Sequence, residues 1–242
     1  MTKKFKKYLF IVEGSTDKDF MNGFIKLFIE NEGKNQELDI SEDNFGVEKI
    51  TRDGGKSEFF KNESIDNIID KIEFFSNDEI LTKTYLIVDA DWEINNSENQ
   101  PAGHKQTEKK IKEIEAKVIE HSFIRSHNDY KNAKIDHFIM PYNKETQEFG
   151  ELETLFINSL KPEFQNKLKC LDDMHKCLAK QHPKPVDNHH RDKIRMQILL
   201  NSYDVKMKNA INWIDYNNEN LDDLKNFLRN KFKKITKKNQ KK

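Results

Sequence analysis

The chain has 242 residues, enough for one good-sized core or a core with a smaller appendage. Lysine and arginine together number 42, as do aspartate and glutamate, so no global basic field draws polyanions to the surface. No apolar run approaches the roughly 20 residues of a membrane span, and two cysteines, Cys170 and Cys177, exclude a disulfide framework, so a cytoplasmic protein is expected.

Lysines do cluster at the two ends, from Lys3 to Lys7 and from Lys231 to Lys242. They read as solvated tails, with phosphate contact as the alternative. Residues 8–12 form an apolar run that stops at Glu13. It is too short for a signal peptide and no small-residue cleavage site follows, so it reads as a strand. Gly14-Ser15-Thr16 turns the chain, and Phe20, Phe24, Leu27 and Phe28 follow at helical spacing. Thr16 and Asp19 predict a capping box, with Asp for the usual Glu or Gln. A weaker strand over 47–51 is broken by Gly54-Gly55, and Ile65, Ile68, Ile69, Ile72 and Phe75 mark a second amphipathic helix. Residues 85–88, Tyr-Leu-Ile-Val, are apolar on both faces, as a buried parallel strand requires. A polar loop over 95–104 leads to a helix with Ile111, Ile114, Val118 and Ile119 on one side. Residues 137–140 read as the fourth strand and 152–160 as helix.

Four strands alternating with helices predict an α/β fold with a parallel four-stranded sheet and right-handed crossovers. Past residue 160 only helical spacing continues, through Phe164, Leu168, Leu171, His175 and Leu178, then across a Pro- and His-rich break at 182–185 to about residue 232. The organisation is therefore a core over 1–160 and a helical appendage with a basic tail over 161–242.

In open parallel sheets ligands bind beyond the carboxyl ends of the strands. Here the first strand ends in Glu13-Gly14 and the third in Asp89-Ala90-Asp91. Asp89 and Asp91 point the same way along an extended chain. Two carboxylates facing a third repel one another unless a cation sits between them, and a hard divalent ion with oxygen ligands, Mg²⁺ or Mn²⁺, is the natural occupant. The plain alternative is that such residues cap the next helix, as Asp17 and Asp19 would in a first turn.

Ile11-Val12-Glu13-Gly14-Ser15-Thr16-Asp17 together with Leu86-Ile87-Val88-Asp89-Ala90-Asp91 resembles the TOPRIM domain of topoisomerases, bacterial primases, OLD-type nucleases, small rRNA-maturing ribonucleases and recombination mediators. The resemblance spans roughly 7–160 and implies a Rossmann-like sheet whose glutamate and Asp-x-Asp pair bind divalent metal. Within TOPRIM proteins the chain is most similar to OLD-type nucleases and small stand-alone proteins of phage defence. Their Glu-x-x-x-Asp is matched by Glu13 and Asp17, and their second glutamate by Glu153. Glu151 departs from the small residue expected two positions earlier, which bears on a second metal. A lysine near the scissile phosphate is also implied; Lys193 is the candidate, with Lys184 behind it, and their plain reading is as solvated residues.

Gly54-Gly55-Lys56-Ser57 lacks the first glycine of a phosphate-binding loop, which would fall at Ile50, so no ATP site is expected, although Lys56 is a candidate for substrate phosphate. Cys170, His175, Cys177 and His182 match no zinc spacing, and the two cysteines are expected as buried thiols on an apolar helix face. Trp92 is a candidate for stacking on a base or for packing at the rim. The length leaves no room for the extra domains of a topoisomerase or primase.

The sequence therefore predicts a Mg²⁺- or Mn²⁺-dependent nuclease acting on DNA or RNA. Glu13, Asp89 and Asp91 hold one metal; Asp17 and Glu153 contribute to a second. The resemblance implies a phage-defence effector controlled by a separate ATPase partner, and a homo-oligomer is compatible with the sequence. The second hypothesis is a non-catalytic TOPRIM-like scaffold that binds nucleic acid or a partner protein, as recombination mediators do.

Overall fold

Strand β1 (Lys6–Val12) sits inside the sheet, and its alternation decides what each layer contains. Tyr8, Phe10 and Val12 face one core, while Leu9 and Ile11 face another. The computed structural model describes residues 6–33, 38–50, 59–61, 63–76, 80–90, 103–126, 134–140, 142–143, 148–149, 151–181 and 191–233. Strands β2 (Phe45–Lys49), β3 (Ile80–Asp89) and β4 (Lys134–Met140) complete a parallel sheet of order β2-β1-β3-β4. The four strands fall where the hydrophobic runs placed them, each shifted or extended at its N-terminal end.

Helix α1 (Ser15–Glu32) covers the Phe10 face with Phe20, Phe24 and Phe28. Helices α2 (Glu63–Ser76) and α3 (His104–Glu120) cover the opposite face with Ile68, Ile69, Ile72, Ile111, Ile114 and Val118. A five-residue helix, α4 (Ser122–Ser126), follows α3. A short antiparallel pair, β5 (Tyr142–Asn143) and β6 (Glu148–Phe149), lies between β4 and α5 (Leu152–Asn158). It was absent from the sequence reading because two-residue strands carry no periodic pattern.

The helical segment is made of α6 (Pro162–Gln181), α7 (Arg191–Ser202), α8 (Met207–Ala210), two 3₁₀ turns and α9 (Asp222–Phe232). Leu168, Met196, Leu199, Met207, Ile211, Leu224, Leu228 and Phe232 belong to the same core as Phe10, Phe20 and Tyr85. The segment thus closes the α1 face of the sheet. Phe232 inserts its ring edge-on to Tyr8 and Tyr85, with centroids 4.7 and 5.7 Å away.

Three expectations are corrected. Cys170 and Cys177 are exposed. At 100° per residue both lie about half a turn from buried Leu168, so the shared face they occupy is the solvent side of α6. The capping box of Thr16 and Asp19 does not form: α1 starts two residues earlier, with Gly14 as N-cap and Asp17 accepting the Gly14 N–H at 2.7 Å. Lys231, read as part of a solvated tail, pairs with Asp136 on β4 and holds α9 to the edge strand. Among the described residues no helix is long and apolar enough to cross a membrane.

Candidate metal centre

The chain leaves β1 to one side, for β2, and crosses back through β3 to the other. The switch point of the sheet therefore lies between β1 and β3. Glu13 follows β1 and Asp89 ends β3, so two of the three predicted strand-end carboxylates stand at that point. Glu13 Oε1 accepts the backbone N–H of Asp89 at 3.0 Å, and Asp89 Oδ1 accepts the N–H of Leu152 at 3.1 Å. This chain of bonds ties three separate elements together and delivers the N-terminus of α5 to the two strand ends.

Glu151 is the N-cap of α5 and Glu153 lies in its first turn. Glu13, Glu151 and Glu153 are 6%, 9% and 8% exposed, so three carboxylates are withdrawn from water around one sheet edge. Burying ionised carboxylates is costly unless cationic or hydrogen-bonding partners compensate. Two helix N-termini, those of α1 and α5, lend partial positive charge here. The donors are all oxygen, which suits a hard divalent cation in chemistry.

Their spacing is open: the described members of the set do not bring three ligand atoms within 4.8 Å of one another, and Glu13 and Asp89 each also accept a backbone N–H. Asp17 is likewise engaged in capping α1. Asp91, Lys56, Lys184, Trp92 and the Gly54-Gly55 turn lie outside the described residues. Lys193 is exposed in the first turn of α7, a helix that packs against α5 and is fixed to α6 by Arg195, which bridges Asp192 and Asp172 at 3.0 and 2.8 Å.

Among the described residues the close acidic and imidazole cluster is a different one, Glu115, Asp136 and His137. His137 Nδ1 lies 2.9 Å from Glu115 Oε1, and Asp136 accepts the His137 N–H at 2.9 Å while pairing with Lys231. These contacts pin α3 and α9 to opposite faces of the edge strand. Sequence reading passed over them because His137 sits within an apolar run and its partner is on another element.

The model of a family described as protein of unknown function (DUF3226) matches residues 7–233. No curated protein and no solved structure matches the chain significantly.

Proposed function

The chain belongs to the DUF3226 family, and we propose that it is a divalent-metal-dependent nuclease of TOPRIM type that hydrolyses phosphodiester bonds of DNA or RNA. One observation carries the reading: Glu13 and Asp89 meet at the switch point of a parallel sheet, hydrogen-bonded in series to the N-terminus of the helix that bears Glu153.

Glu13, Asp89 and Asp91 are the proposed ligands of one Mg²⁺ or Mn²⁺, with Asp17 and Glu153 toward a second. A metal so held supplies charge neutralisation on the phosphate and an activated water. The protein's part is orientation. The Leu152 N–H fixes one oxygen of Asp89, the Asp89 N–H fixes one oxygen of Glu13, and strands rather than loops set the distance between them. Lys193 is proposed to meet the phosphate from α7. A partner ATPase controlling such an activity in phage defence belongs to the same proposal and rests on the resemblance.

The test is cleavage of plasmid, single-stranded DNA, tRNA and rRNA in Mg²⁺, Mn²⁺ or EDTA, with Asp89→Asn purified alongside. Cutting that needs metal and vanishes in Asp89→Asn is the expected result. Equal calorimetric metal binding by wild type and variant would sink the metal centre. Metal-independent binding without cutting favours the scaffold.

A further inference from the structure

The edge of the sheet beside Glu13 is not flat. Lys18 of α1, Lys49 of β2 and Lys71 and Phe74 of α2 line a cavity of about 620 Å³, within the range of about 300–1,000 Å³ typical of ligand clefts. It adjoins the candidate metal centre through the backbone. Lys49 pairs with Val12, the residue before Glu13, and its Nζ donates to Ser15 Oγ at 2.8 Å.

Phe74 is 74% exposed, while its neighbour Phe75 packs into the core. A single exposed phenylalanine is ordinary, but this one forms the wall of a lysine-lined cleft. Glu48 receives Lys18 at 3.1 Å and Lys71 at 3.8 Å, holding both ammonium groups at the cleft. With Asp70 also present, three lysines face two carboxylates, an excess of one positive charge. A lone inorganic anion gains little there. A strand that adds a stacked base to each phosphate contact gains from both the lysines and the ring.

We infer that this cleft seats a single-stranded segment of nucleic acid running from the metal centre, with Lys49, Lys18 and Lys71 along its phosphates and Phe74 stacked on a base. Its assignment to nucleic acid rests on the nuclease reading, because the cleft adjoins that site. A duplex fits less well, since its bases are already stacked on one another and offer Phe74 no face.

The experiment is fluorescence anisotropy of the full chain in EDTA with short oligo(dT), oligo(rU) and a duplex. Wild type is compared with Phe74→Ala and Lys71→Met. Single strands are expected to bind more tightly than duplex. Phe74→Ala should weaken them by about fivefold to a hundredfold with unchanged thermal unfolding, and Lys71→Met should lower the salt dependence. The better of the two oligonucleotides identifies the sugar. Single-strand binding that ignores both Phe74→Ala and Lys71→Met overturns the cleft, even if metal-dependent cutting persists. Phe74-dependent binding without any cutting upholds the cleft while the nuclease reading falls.

Discussion

Asp89 performs two tasks that substitution can separate. Its Oδ1 caps α5 through the Leu152 N–H, and its charge contributes to the acidic edge. Asp89→Ala removes both and should lose about 1 kcal/mol in urea unfolding, the usual cost of deleting a helix-cap acceptor. Asp89→Asn keeps an acceptor and removes only charge. It should match wild type in EDTA, yet lack the rise in melting temperature that Mn²⁺ should confer on wild type by binding the proposed centre in the folded state. A metal-induced rise of the same size in Asp89→Asn would place the ion elsewhere. A different restraint operates at Gly46 on β2, where an added Cβ would run into the ring of Phe75. Gly46→Ala should destabilise the fold by about 1–3 kcal/mol through overpacking. Phe75→Leu in the same chain should restore part of that loss.

Between elements, the ion pair that joins α1 to α9 sets a pH dependence. Glu32 accepts Arg229 Nε at 2.6 Å, Arg229 Nη2 at 2.5 Å and the Tyr216 hydroxyl at 2.5 Å. Burial pushes the Glu32 carboxyl up, but the bonds from Arg229 and Tyr216 outweigh it and hold the group below the usual carboxylate range. A carboxyl lowered on folding contributes stability above its unfolded pKa, and that contribution disappears as pH falls through the folded value. Glu32→Gln should therefore cost about 1–3 kcal/mol near neutrality and progressively less in acid, where the two unfolding curves converge. Parallel curves at every pH would contradict the assignment. No sequence pattern announces this clasp, because its partners lie almost 200 positions apart. What was legible is what local pattern encodes. Residues 85–88 are apolar on both faces because both faces of β3 are covered, and Glu13, Asp89 and Glu153 stood out because each follows an apolar run or opens a helix. The cap at Gly14 was misplaced because glycine offers no side chain to recognise. Lys49 and Phe74 were not singled out at all, since three elements from different parts of the chain must fold before they share a cleft.

At the scale of the whole molecule, the helical segment after residue 160 closes the sheet instead of standing beside it. Phe10, Tyr85 and Phe232 share one core, and α9 adds Leu224 and Leu228 to the same layer. The chain also crosses back in the backbone: Leu160 bridges Ile214, Leu38 bridges Lys233, and the Asp39 N–H donates to the Phe232 carbonyl at 2.7 Å. A sheet with α1 alone on that face would leave Tyr8, Phe10 and Tyr85 open to water where Phe232 now lies. Burying each such aromatic side chain contributes about 1.5–3 kcal/mol, against a net stability of only about 5–15 kcal/mol for a typical domain. Residues 1–160 expressed alone should therefore fail to unfold cooperatively in urea and should bind a hydrophobic dye. In the full chain, Phe232→Ala should cost about 3–5 kcal/mol, the range for emptying a buried aromatic site. A sharp, wild-type-like transition from the shorter fragment would show that the sheet can fold without its helical cover. In that event Phe232→Ala should loosen only the C-terminal helices, detected as accelerated hydrogen exchange confined to α7–α9, with the strands as protected as before.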